Sequence, residues 1–241
     1  MKYLVKTQVE RFHVTSLHLT AGLLLTLRDT VLKTSNIAQQ HLIIFTRYPE
    51  PGKTKTRLIP ALGSVGAANL QQQMTERTIF QVQELQKTTP ISWEVRFAGG
   101  NYQLMQEWLG CNLVYHIQGE GDLGARMVRS LAQAFASGAA QVVIIGIDCP
   151  GINPDILNQA FEQLQTHDLT LGPATDGGYY LIGLRRLIPE LFVNIDWGTS
   201  QVLQESVDIA EKLKITLNYL PILADVDTPE DLPIWKQYTA L

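Results

Sequence analysis

Short apolar runs alternate with longer segments of helical period along most of this chain, and that alternation limits the possible folds more than any other feature. Buried strands are expected at 41–46, 93–98, 113–117, 142–147, 169–172, 179–184 and 215–220. Between them, apolar residues recur every three or four positions, as at Val65, Ala68, Met74, Ile79, Val82 and Leu85. This spacing predicts helices at 63–86, 102–109, 123–136, 154–165, 199–213 and 229–238. Such alternation implies an α/β fold with a mostly parallel sheet covered by helices on both faces. In a sheet of this kind, ligands bind beyond the carboxyl ends of the strands, so the residues just after each strand are where chemistry is sought.

One domain is expected at 41–241, preceded by an extension at 1–40 that is helical if structured. The apolar run at 17–27 in that extension is only half as long as the ~20 residues a membrane span requires. Glu10 before it and Arg28-Asp29 directly after it do not suit a secretory signal. Cys111 and Cys149 are too few for a disulfide framework and have no metal spacing, which fits a reducing cytoplasm. The formal charge of −4 provides no general footprint for nucleic acid or an anionic membrane, so any bound anion must meet a local cluster of cations.

Such a cluster follows the first strand, where Arg47, Lys53, Lys55 and Arg57 lie within one proline- and glycine-bearing loop. Guanidinium and ammonium groups make charge-assisted bonds to phosphate oxygens, and the loop reads as a phosphate cradle. Its PGKT resembles part of a P-loop, but Arg47 stands where that motif needs glycine. Further along, Gly119, Gly121 and Gly124 match a dinucleotide-binding GxGxxG. Glu120 and Asp122 would place carboxylates beside a pyrophosphate there, and Asp122 and Gly124 also suit a loop and helix start. Asp148 ends the apolar run VVIIGID and emerges at the ligand edge, where a metal ligand would stand. Asp176, followed by two glycines, offers a carboxylate on an open turn. Asp225 and Asp227 precede the last predicted helix, so Asp227 is either a cap or a second metal ligand completing an oxygen shell with phosphate and water.

Taken in order, PEPGKTKTRL, QGEGDLGARM, IGIDCPGI, GPATDGGYYLIGL, the Trp197 segment and DVDTPEDL resemble a bacterial glycosyltransferase family. Its members are known as radical-SAM- or selenodomain-associated transferases, some of them assigned to arsenosugar biosynthesis. The likeness spans 42–232 and implies a GT-A-like fold of the nucleotide-diphospho-sugar transferase superfamily. KTRL is similar to a loop of 2-phospholactate guanylyltransferases, and DVDTPEDL to the C-terminal block of sugar-acid cytidylyltransferases and molybdenum-cofactor guanylyltransferases. The resemblance makes Asp148 and Asp227 the ligands of Mg²⁺ or Mn²⁺, and Lys55 and Arg57 phosphate ligands. Arg47, Lys53, Gln118, Gly119, Gly121 and Asp148 complete the expected nucleotide site, with Asp176 as the catalytic or acceptor-orienting group. The usual DxD of GT-A glycosyltransferases is IDCP here, and the first loop is basic rather than glycine-rich.

Three functions follow as expectations. The first is transfer of a sugar from a nucleotide sugar to a small acceptor. The second is nucleotidyl transfer from a nucleoside triphosphate with release of pyrophosphate, and the third is nucleotide binding without turnover.

Overall fold

Strand β1 (Gln40–Arg47) is apolar at its centre, from Leu42 to Phe45, and its side chains alternate between the two faces of a central sheet. Leu42 and Ile44 enter one core and Ile43 and Phe45 the other, the period-2 pattern of a strand buried on both sides. The computed structural model describes residues 39–239. The expected extension, with its apolar run at 17–27, lies outside them except at its end, where Gln40 already belongs to β1.

The remaining strands are β2 (Ile91–Ala98), β3 (Tyr115–Ile117), β4 (Gln141–Ile145), β5 (Leu169–Pro173), β6 (Tyr179–Leu184) and β7 (Leu217–Tyr219). They form one seven-stranded sheet in the order β3-β2-β1-β4-β6-β5-β7. Pairing is parallel except around β6, which runs antiparallel to β4 and β5. The sheet is thus mostly parallel, as expected.

Helices α1 (Ile59–Gln86), α2 (Tyr102–Leu109), α4 (Pro154–Gln163) and α6 (Leu232–Thr239) lie over one face, and α3 (Leu123–Ala136) and α5 (Val202–Lys212) over the other. Leu70, Met74, Val82 and Phe161 fill the first core, while Met127, Leu131 and Ala210 fill the second. Asn101, Asp122 and Asn153 cap α2, α3 and α4 by accepting a hydrogen bond from a first-turn backbone N–H. Most element boundaries differ from the sequence reading by a few residues. Helix α1 begins at Ile59 rather than at 63, with Gly63 at φ 69° and ψ 167° interrupting it. The edge strands β3 and β7 are shorter than their apolar runs, because each pairs on one side only. Among the described residues, no helix is long and apolar enough to cross a membrane.

Candidate active site

The chain after β1 is fixed before it reaches the basic loop. From α1, the Gln71 amide donates to the Arg47 carbonyl and the Thr46 hydroxyl, at 3.2 and 3.3 Å. Beyond a turn in which Lys53 N–H donates to the Glu50 carbonyl, Lys55 adopts a left-handed conformation at φ 46°. A short 3₁₀ turn (Thr56–Leu58) then leads into α1. This path directs the Lys55 side chain inward and leaves that of Arg57 outside, at 3% and 66% exposure.

Asp148 follows β4 in a tight turn anchored from two sides. Arg77 on α1 donates to the Pro150 carbonyl at 3.0 Å, and Val226 N–H donates to the Asp148 carbonyl at 2.9 Å. That second bond joins the β4 end to the C-terminal loop. The Lys55 ammonium completes the junction, donating to Asp148 Oδ1 and to the Val226 carbonyl, both at 2.5 Å, with Asp227 Oδ1 at 3.8 Å. Arg57 donates to Asp227 Oδ2 at 2.7 Å.

Asp227 is not a helix cap. Thr228 is the N-cap, and Asp231 closes the capping box, accepting from the backbone N–H groups of Asp227 and Thr228 and from the Thr228 hydroxyl. Partial burial pushes the Asp231 carboxyl up, but these hydrogen bonds outweigh it and hold the group below its ordinary value. The Asp227 carboxylate is thereby free to face Lys55 and Arg57.

Three cavities meet at Asp148. One of about 310 Å³ is lined by Arg47, Lys53, Lys55, Arg57, Asp148 and Asp227. A second, of about 320 Å³, has apolar walls including Phe45, Ile144 and Ile182, with Arg47, Gln118 and Arg126 at its polar side. The third, of about 280 Å³, contains Asp148, Asp176 and Asp225 beside Tyr179, Tyr180 and Trp197.

The sequence-predicted residues divide among these places. Arg47 is exposed, and among the described residues no side-chain bond ties its guanidinium. Lys53 pairs with Glu50 at 2.8 Å on the rim. Gln118 is buried, and its amide nitrogen donates to the Thr46 and Arg96 carbonyls at 3.0 and 3.1 Å, joining β1 to β2. Gly119 and Gly121 line none of the three cavities. Their carbonyl-rich loop is clamped by α3, with Arg129 donating to the Gln118 and Glu120 carbonyls and Arg126 to that of Gly121. A Cβ on Gly119 would lie 2.5 Å from the Arg129 guanidinium, so glycine is needed there for the clamp. Asp122 accepts from Ala125 N–H on the first turn of α3 at 2.7 Å, so the GxGxxG segment packs as a loop and helix start.

Asp176 sits in the β5–β6 turn, and its Oδ1 accepts from Gly178 N–H at 2.8 Å. Gly177, at φ 88°, leaves no room for a side chain because a Cβ would meet the Ser200 carbonyl at 2.3 Å. Asp225 accepts from the Thr175 hydroxyl at 3.0 Å. Burial raises the Asp225 carboxyl above its ordinary value, and the charges of Asp176 and Asp231 add to that against the Thr175 bond. Burial, reinforced by the neighbouring carboxylates, pushes the Cys149 thiol up and disfavours its thiolate.

Arg126, Tyr179, Tyr180, Trp197 and Asp225 were not among the expected site residues. The aromatic pair after two glycines in GGYY was the available signal for the third cavity's wall. Among the described residues, no group of three His, Cys, Asp or Glu side chains gathers to hold a metal ion. Asp148 and Asp227 instead approach the same ammonium, that of Lys55, at 2.5 and 3.8 Å.

Comparison with solved structures resolves the family. A protein of Desulfovibrio desulfuricans G20, provisionally described as a nucleotide-diphospho-sugar transferase, shares 32% identity and a TM-score of 0.77 over 83% of this chain and 87% of its own. This chain belongs to the same family. The sequence profile described as "Uncharacterized protein conserved in bacteria (DUF2064)" matches residues 81–199. The fold is shared more widely. The inositol-1-phosphate CTP transferase of T. maritima matches at 11% identity and TM-score 0.55, covering 85% of this chain and 96% of that one. The 4-diphosphocytidyl-2C-methyl-D-erythritol synthase of Anaerococcus prevotii DSM 20548 matches at 9% and 0.54, covering 84% and 97%. No curated protein matches the chain. The architecture is that of GT-A-like nucleotidyl and sugar transferases.

Proposed function

We propose that the protein is a metal-dependent glycosyltransferase that moves a sugar from a nucleotide sugar to a small, unphosphorylated acceptor. The observation that carries this reading is the partition of charge along the cleft. All the cations of the first loop line one cavity, whereas the third cavity is lined by three carboxylates and by no Lys, Arg or His. A nucleoside diphosphate fits the first, through charge-assisted bonds from Arg47, Lys53 and Arg57. The apolar second cavity adjoins it through Arg47 and Asp148 and suits a nucleobase.

In the third cavity, Asp176 would orient an acceptor hydroxyl and accept its proton, while Tyr179, Tyr180 and Trp197 exclude water. Mg²⁺ or Mn²⁺ held by Asp148 and Asp227 would supply charge neutralisation for the departing diphosphate. Nucleotidyl transfer is the weaker reading, because its phosphorylated acceptor would have to sit among Asp148, Asp176 and Asp225 with no Lys, Arg or His lining that cavity. The family description of the Desulfovibrio protein, the likeness to radical-SAM-associated glycosyltransferases and the cytidylyl-transferring relatives in fold all support nucleotide chemistry. We place the enzyme in the cytoplasm, where the exposed Cys111 thiol stays reduced.

Product analysis separates the readings. Incubated with a panel of nucleotide sugars, unphosphorylated acceptors and Mn²⁺, the enzyme is expected to release nucleoside diphosphate in an acceptor-dependent manner. Release of pyrophosphate from a nucleoside triphosphate and a sugar phosphate would establish nucleotidyl transfer instead. Binding without either product would leave a nucleotide-binding protein.

A further inference from the structure

Lys55 differs from the other cations of its loop. Its side chain is buried at 3% exposure, whereas Arg57 and Arg47 are exposed. An ammonium has three donors, and a buried charge is stable only when paired. The Lys55 ammonium meets that need with Asp148 Oδ1, the Val226 carbonyl and, at ion-pair distance, Asp227 Oδ1. Its backbone is left-handed at φ 46°, a region that residues with a Cβ seldom occupy. These contacts hold it there. A phosphate in the basic cavity meets Arg47 and Arg57 first and would have to strip Lys55 from both carboxylates to reach it.

We propose that Lys55 is the resident counter-ion of the Asp148–Asp227 pair rather than a phosphate ligand: its ammonium holds the two carboxylates together without a divalent cation and competes with that cation for their oxygens. The inference rests on the reading of Asp148 and Asp227 as the metal pair. Two like charges facing one site would otherwise repel. The ammonium neutralises them and ties the β4 end to the C-terminal loop through the Val226 carbonyl. It is a positioning residue.

The two roles of Lys55 predict opposite signs. Mn²⁺ alone, titrated into the full chain and followed by electron paramagnetic resonance and calorimetry, should bind Lys55→Met at least about tenfold more tightly than wild type, because a unit positive charge has left the site. Lys55→Gln, which retains a donor for the Val226 carbonyl, should show the same direction and guards against misfolding of the methionine variant. Adding Asp148→Asn to either should abolish the tightening. Metal-free affinity for nucleoside diphosphate should stay within about threefold of wild type, since the exposed arginines carry those contacts.

Mn²⁺ binding no tighter in both Lys55 variants overturns the proposal. So does a tenfold or greater loss of metal-free diphosphate affinity, which would make Lys55 a phosphate ligand while leaving the transferase reading intact. The Mn²⁺ arm contains no nucleotide, so it decides the role of Lys55 separately. Failure of wild type to bind any nucleoside diphosphate strikes the transferase reading alone.

Discussion

Two ionic clusters of similar composition lie on this sheet, and only one faces a cavity of the cleft. Between β1, β2, β3 and α3, Glu94 accepts from Arg96 at 2.5 Å, with His41 at 3.6 Å and His116 at 3.5 Å. Arg96 also donates to Gln133 of α3 at 2.6 Å, and His41 bonds Ser92 at 2.8 Å. Glu94, Arg96 and His41 are buried, and none of the four ionisable groups lines the cleft. At the carboxyl ends of the strands, by contrast, Lys55, Arg57, Asp148 and Asp227 pair beside open space, with the Asp148 side chain 56% exposed. Charges spent on one another inside the fold brace it. Charges paired at an open edge can exchange partners for a ligand.

The largest expected effect breaks the buried cluster. Arg96→Met leaves the Glu94 charge without its main partner, a change that costs about 3–5 kcal/mol in comparable buried pairs. Urea denaturation should show that loss, while the remaining folded protein binds nucleoside diphosphate as wild type does. Equal stability would place Arg96 outside the bracing network.

Arg57→Ala sharpens the comparison from the other side. A charge-assisted contact is worth about 1.5–3 kcal/mol, so nucleoside diphosphate affinity should fall by about ten- to a hundredfold. Its exposed pair with Asp227 contributes at most about 1 kcal/mol to stability, so the melting temperature should hardly move. Calorimetry and thermal melts on one preparation test both halves. Unchanged affinity would remove Arg57 from the phosphate site.

The smallest effect is in pH. Burial alone would raise the Glu94 carboxyl, but the close approach of His41 and the hydrogen bond and charge of Arg96 outweigh that and hold it below its ordinary 4.5. A carboxyl depressed in the folded state adds stability that is present above 4.5 and is lost as pH falls through the folded value. Stability measured downward from pH 6 should therefore decline below about 4.5, and Glu94→Gln should flatten that decline. An equal decline in the variant would assign the acid sensitivity to other carboxylates.

Which cluster would be buried could not be read along the chain. Runs such as HLIIFT and VVIIGID announce strands buried on both faces, and Asp148 is visible as the acid at such a strand's tip. The reversed direction of β6 was hidden, because alternation and apolarity are the same whichever way a strand runs. Glu94 and Arg96 stand at alternate positions of β2, where a sequence pattern equally describes a solvated face. Lys55 misled in the opposite sense. A lysine in a proline- and glycine-bearing basic loop reads as solvent-facing, and its burial depends on partners far along the chain, Asp148 and the Val226 carbonyl. The acidic third cavity draws on β4, the β5–β6 turn, the Trp197 segment and the C-terminal loop, so no single motif could disclose it.

On the proposed function, the open ionic cluster at Asp148 binds a nucleotide through a divalent cation. Isothermal titration of wild type and Asp148→Asn with a panel of nucleoside diphosphates, with and without Mn²⁺, tests it most directly. Mn²⁺ should raise wild-type affinity by at least about tenfold, the size of one lost charge-assisted contact. The variant should remain folded and show no Mn²⁺ enhancement. The same Mn²⁺ enhancement in Asp148→Asn as in wild type would contradict the account.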